Sequence, residues 1–248
     1  MPVVLSPTEI DFLRQVREHM QLPDNYCVAD LETCGFSPER DLIIEVGIGH
    51  VVNRQLVSRQ CAVLDWTRYD GIDQDYLASQ LERIRVEYEK KGRNWRYNMD
   101  VLRTEGHDPI QVLHTYVTEL YKALTGDEMI VGHGFHFDRR MIDAHARRFL
   151  NGYMLPWHDE AIFDTGLIVK GAQIGKTPWP GESREAWFNR IRGAQIKGVM
   201  WALDGYCVER YELVQRYGVD VTQVHTAGFD VLLCHLMVET FRHLLEHA

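Results

Sequence analysis

The chain has 248 residues, of which 45% are hydrophobic and 25% charged, with a formal net charge of −9. That composition belongs to ordinary globular proteins, and the length suits one large domain or two small ones. The excess of acid, 36 Asp and Glu against 27 Lys and Arg, argues against a protein that coats long duplexes by counterion release.

No apolar run approaches the roughly 18 residues of a membrane span, and the start of the chain lacks the apolar core and cleavage site of a signal peptide. A soluble, cytoplasmic protein is expected. Cys27, Cys34, Cys61, Cys207 and Cys234 are scattered and form no C-x-x-C pair, so they read as reduced thiols. No Ser/Gly- or Pro-rich linker interrupts the chain, which predicts a single domain over residues 1–248.

In chain order, Ser6-Pro7-Thr8-Glu9 has capping-box spacing and opens an N-terminal helix from Pro7 to Met20, within a segment spanning residues 1–22. Tyr26 to Glu32 reads as a strand carrying two acids at its end. Leu42 to Val52 and Gln55 to Leu64 read as further strands joined by a tight turn at Asn53-Arg54. Helices follow over 75–91 and over 109–124, the latter opening at Asp108-Pro109. Met129 to Val131 is a short buried strand, Phe137 to Leu150 an arginine-rich helix, and Ala161 to Asp164 another short strand. Residues 171–200 show little period and read as an insertion or lid over one face. Helices over 203–217 and 226–245 close the chain. Alternating strands and helices of this kind predict a mixed α/β sheet flanked by helices.

Three segments concentrate chemistry-bearing residues. Asp30 and Glu32 lie two apart on one strand, so both side chains point to the same face. Two carboxylates beside an apolar strand are costly unless a cation pairs them, although a strand end could simply release both to water. His133-Gly134-Phe135-His136-Phe137-Asp138 follows a strand and places Asp138 where a helix begins. There, alone, it would be an N-terminal residue favoured by the dipole. His225-Thr226-Ala227-Gly228-Phe229-Asp230 opens the last helix.

Together these segments resemble the DEDDh family of 3′–5′ exonucleases. Asp30-Leu31-Glu32-Thr33-Cys34-Gly35 resembles its D-x-E-T-T-G motif, His133 to Asp138 its H-N-x-x-F-D motif, and His225 to Asp230 its H-x-A-x-x-D motif. Phe163-Asp164-Thr165 and Leu203-Asp204 are softer matches, and the resemblance runs from residue 26 to about 240 in the family's order. Cys34 and Gly134 depart from the family's second Thr and from its Asn, the latter bearing on substrate preference.

The resemblance implies a ribonuclease-H-like fold with a five-stranded mixed sheet. It implies two divalent cations, Mg²⁺ or Mn²⁺, about 3.5–4 Å apart. Asp30 would bridge them, Glu32 and Asp230 would complete the nucleophile-side site, and Asp138 would hold the other. Hard cations favour oxygen ligands, which four acids supply. His225 would take the proton of the attacking water. Thr33, Cys34, Gly35, His133 and Phe137 would meet the substrate.

The implied activity is hydrolysis from the 3′ end of single-stranded nucleic acid, DNA favoured, releasing nucleoside 5′-monophosphates. An exoribonuclease of the ribonuclease T or oligoribonuclease type is the nearest alternative. A catalytically silent nucleic-acid or partner-binding module and a hydrolase of small nucleotides are the others. Residues 231–245 read as one helix of the catalytic domain, which predicts no stable tether to a polymerase; a homodimer is left open. Gly171 to Thr177 is one residue short of a P-loop, so no triphosphate site is expected there. His133 with His136 lacks a third ligand for zinc.

Overall fold

The computed structural model describes residues 6–126, 128–194, 203–219 and 225–247. Its strands are β1 (Tyr26–Thr33), β2 (Ile43–Val52), β3 (Gln55–Val63), β4 (Met129–Gly132) and β5 (Ile162–Asp164). Its helices are α1 (Pro7–Val16), α2 (Gln74–Lys90), α3 (Met99–Glu105), α4 (Pro109–Thr125) and α5 (His136–Phe149). They continue as α6 (Thr165–Ile174), α7 (Arg184–Arg192), α8 (Val208–Arg210), α9 (Leu213–Tyr217) and α10 (Ala227–His247).

The strands form one sheet in the order β3-β2-β1-β4-β5, antiparallel among the first three and parallel from β1 through β5. This is the expected five-stranded mixed sheet. Local chemistry accounts for its connections. Asn53 and Arg54 both adopt positive φ, 50° and 66°, the backbone twist that closes a two-residue hairpin between β2 and β3. Ser6 and Glu9 cap α1 reciprocally, and Asp108 accepts from the Gln111 amide to start α4 at Pro109.

Each sheet face is covered by its own apolar core. One packs Tyr26 and Val28 of β1 against α1, α6, α7 and α10; the other packs Cys27, Ala29 and Leu31 against α2, α4 and α5. Among the described residues, no helix is long and apolar enough to cross a membrane. All five cysteines are free, and four of them are buried.

Three stretches differ from the expectation. Within the stretch expected to be an irregular insertion or lid, residues 171–174 instead end α6 and 184–192 form α7, with irregular chain over 175–183 between them. Trp187, Phe188 and Ile191 of α7 are buried in the core that holds Phe12. A side chain added at Gly171 would come within 2.9 Å of Ile191 and 3.1 Å of Phe12, so that glycine permits the close packing. The P-loop-like stretch is the end of this helix, with Gly175 left-handed (φ 61°) as its cap. Residues 195–200 lie outside the described residues.

The helix expected over 203–217 is broken. A wide π-type turn at 203–207 leads into α8, and Glu212 takes a left-handed conformation (φ 52°) before α9. Tyr211 and Leu213 are both buried, and positions two apart do not share one helical face. Lastly, α3 was not foreseen; its seven residues, capped by Asn98 and anchored by the buried Leu102, are too few to give a period.

Candidate active site

The alternation of β1 sets the site. Tyr26 and Val28 point toward α10, and Asp30 and Glu32 continue the same row to the strand's end. Glycines on the neighbouring strand let α10 approach. A Cβ at Gly47 would lie 2.4 Å from the Ala227 carbonyl oxygen, and one at Gly49 would lie 2.7 Å from a Val231 methyl. Through this gap the first turn of α10 brings Asp230 to the β1 acids. One donor atom from each of Glu32, His225 and Asp230 falls within 4.8 Å of the others.

Asp138 lies in the first turn of α5, a helix whose Met141 and Ile142 pack in the core on the opposite face of β1. Burial raises the Asp30 carboxyl well above the usual carboxylate range, and the charges of Asp230, Asp138 and Glu32 push it further. Burial also pushes Asp138 up to about 8, against the pull of amide hydrogen bonds from its own backbone and Leu31, with Asp164 adding to the rise. Four acids from three distant segments thus converge where their mutual repulsion is felt. That arrangement calls for cations, and hard oxygen donors fit Mg²⁺ or Mn²⁺.

His225 also has a left-handed backbone (φ 69°), a strained conformation for a non-glycine residue. Its ring is met edge-on by Tyr88 at 4.6 Å between centroids, and the Tyr88 hydroxyl lies 3.4 Å from His225 Nδ1.

A cleft of about 400 Å³ opens beside the acids, lined by Glu32, Thr33, Gly35, Phe36, Arg83, Tyr88, Lys91, Trp95 and Phe137 among others. Phe36, 77% exposed, meets Phe137 edge-on at 5.9 Å. Of the residues expected at the substrate, Thr33, Gly35 and Phe137 line this cleft. Cys34 does not. Its side chain is buried, its amide donates to the Leu42 carbonyl, and burial pushes its thiol up to about 11. His133 is also outside the cleft, with Nδ1 2.9 Å from the Thr165 hydroxyl. The wall supplied by α2 and its following loop (Arg83, Tyr88, Lys91, Trp95) carried no sequence signal, because α2 reads only as a charged amphipathic helix.

Gly134, where the resembled motif has Asn, takes φ 72°. Glycine adopts that conformation freely, and Asn more readily than most other residues, so the departure preserves the turn. The Gly134 amide donates to Asp164 Oδ1, which also accepts from the Gly166 and Leu167 amides and ties this turn to α6.

This mixed sheet with its flanking helices is the ribonuclease-H-like fold. No family model matches the chain, and no curated protein sequence matches it. Solved structures of exonuclease I do resemble it. The zinc-bound complex of the E. coli enzyme with single-stranded DNA is 14% identical with a TM-score of 0.57, over 91% of this chain and 42% of that one. The E. coli enzyme with a dA16 oligonucleotide is 15% identical with a TM-score of 0.56, over 91% and 43%. A product-bound exonuclease I is 13% identical with a TM-score of 0.52, over 90% and 45%. The chain spans less than half the length of these proteins, and the likeness is one of fold.

Proposed function

We propose that this protein is a metal-dependent 3′–5′ exonuclease acting on single-stranded nucleic acid, with DNA the favoured substrate. The observation that carries this reading is the convergence of Asp30, Glu32, Asp138, Asp230 and His225 beside an aromatic-lined cleft. A module that only binds a partner has no use for a buried Asp30 whose pKa is raised further by the neighbouring Asp230, Asp138 and Glu32. The exonuclease I structures with single-stranded DNA add support at the level of the fold.

In this reading Asp30, Glu32, Asp138 and Asp230 would hold two divalent cations, which would supply charge neutralisation at the phosphate and a more acidic water. His225 stands against Glu32 and Asp230, where it would accept the proton of a water held at that site. The exposed Phe36 and its neighbour Phe137 offer ring faces for the terminal bases, since stacking on aromatic side chains tolerates every base. Arg83 and Lys91 bring positive charge to the same cleft for the phosphate backbone.

Oligomers of matched DNA and RNA, labelled at either the 3′ or the 5′ end, test the reading in the presence of Mg²⁺ and Mn²⁺. Expected is stepwise shortening of 5′-labelled DNA, release of mononucleotide from the 3′ label, and arrest by a chelator. Faster loss of RNA would move the assignment to the exoribonuclease alternative. Absence of hydrolysis with either cation would remove the reading.

A further inference from the structure

Glu45 is a buried carboxylate that the proposed chemistry does not use. It is 1% exposed, pairs opposite Glu32 in the β1–β2 ladder, and lies on the side of β2 that faces α10. Its Oε2 accepts from the Ala227 amide at 2.6 Å and from the Tyr97 hydroxyl at 2.7 Å. Ala227 is the first residue of α10, two after His225 and three before Asp230. The first amides of a helix have no partner within the helix, and the positive end of the helix dipole favours a carboxylate there. Burial raises the Glu45 carboxyl above its usual range, and the hydrogen bonds from Tyr97 and the Ala227 amide pull against that rise.

A second contact constrains the same residue. Gly47, two residues along β2, lets the Ala227 carbonyl approach so closely that a side chain there would clash. An aromatic chain completes the frame. Tyr97 packs on Trp95 at 4.9 Å, Trp95 on Tyr88 at 4.9 Å, and Tyr88 on His225 at 4.6 Å. The segment from α2 to α3 thus grips the opening of α10 twice, at His225 through Tyr88 and at Ala227 through Tyr97 and Glu45.

We infer that Glu45, with Tyr97 as its hydrogen-bond partner, is a positioning residue that holds the His225–Asp230 segment against the acids of β1. Its kinetic consequence rests on the exonuclease reading; its structural consequence does not. A carboxylate that merely stabilised the fold would change melting without separating kcat from KM. A positioning carboxylate acts on the geometry of the reacting groups, where small displacements are costly to the chemical step.

The test compares Glu45→Gln, Glu45→Ala and Tyr97→Phe in the full chain, measuring amide hydrogen exchange along α10 and kinetics on a single-stranded DNA oligomer. Glu45→Gln keeps an acceptor for the Ala227 amide, and Tyr97→Phe removes one hydroxyl, so folding does not hinge on the alanine variant. Expected in Glu45→Ala is loss of exchange protection over residues 227–230 with residues 233–245 unchanged. Its kcat should fall about 10- to 100-fold with KM nearly constant. Tyr97→Phe should move both readouts the same way by less, and Glu45→Gln should recover part of the loss. Unchanged exchange at residues 227–230 in Glu45→Ala and Tyr97→Phe, or lost protection with unchanged kcat, would overturn the inference. If the wild-type protein hydrolyses nothing, the exonuclease reading fails, and the exchange data still decide whether Glu45 holds the helix.

Discussion

Near each end of helix α10 lies a cluster of side chains able to ligate a metal, and the two differ in where their members come from and in how far they are removed from water. Near its start, Glu32, His225 and Asp230 bring donor atoms within 4.8 Å of one another; near its end, so do His243, Glu246 and His247. The second cluster consists of neighbours on one exposed helical turn. The His243 and His247 rings lie 4.3 Å apart, and Glu246 approaches Arg54 at 3.8 Å. Water screens such groups, and their proximity follows from helical spacing alone. The first cluster joins β1, α10 and the turn before the helix, and it sits beside Asp30 and Asp138; burial pushes both carboxyls up, Asp30 further through Asp230, Asp138 and Glu32, and Asp138 further through Asp164. Carboxylate and imidazole donors at short distance are common to both; convergence from distant segments and removal from water are not. Those two properties tune groups for chemistry.

The largest expected effect breaks the buried cluster outright. Asp30→Asn and Asp230→Asn should each reduce hydrolysis to background while the folded state persists, because a carboxamide removes the charge that would hold a cation and relieves repulsion. Activity and circular dichroism on purified variants check this, and near wild-type turnover in either would refute the site.

His225→Ala should lower single-turnover rates by about 10²–10⁴-fold, the usual contribution of a general base, with metal affinity little changed. Were the residue only a helix-start element, the variant would melt earlier at an undiminished rate.

A smaller effect concerns pH. Burial pushes the Asp138 carboxyl up to about 8 in the folded protein, against about 4 for an unfolded aspartate. A raised carboxyl gives stability that is complete below the unfolded value and is lost as pH climbs through the folded one. Chelated protein should therefore melt progressively earlier from about pH 4 to about pH 8, Mg²⁺ should offset the loss, and Asp138→Asn should flatten the profile. Melting curves across that range, with and without the cation, measure it; a flat wild-type profile would contradict the assignment.

The exposed cluster supplies the control. His243→Ala and His247→Ala should leave hydrolysis unchanged and shift stability by no more than about 0.5 kcal/mol, as surface substitutions usually do. A loss of activity comparable to that of His225→Ala would erase the distinction between the clusters.

Much of this molecule is written in short-range patterns. Hairpin geometry at Asn53-Arg54, the caps at Ser6 and Asp108, and the alternation that puts Asp30 and Glu32 on one face all depend on residues a few positions apart. Backbone hydrogen bonds and side-chain period act over that range, so the strands, most helices and the motif residues were legible.

What only the tertiary structure decided involves partners far along the chain. Helix α7 was illegible because Trp187, Phe188 and Ile191 are buried in the core with α1 and α6, contacts that no local period encodes. Phe36, Tyr88 and Trp95 form a cleft wall only when α2 packs beside the end of β1. Glu45 reads as one acid in an apolar strand until Ala227, 182 residues away, donates to it. Periodicity states which face of an element is apolar; the distant residue that meets that face is settled by close packing of the whole chain and by the need to satisfy every buried polar group.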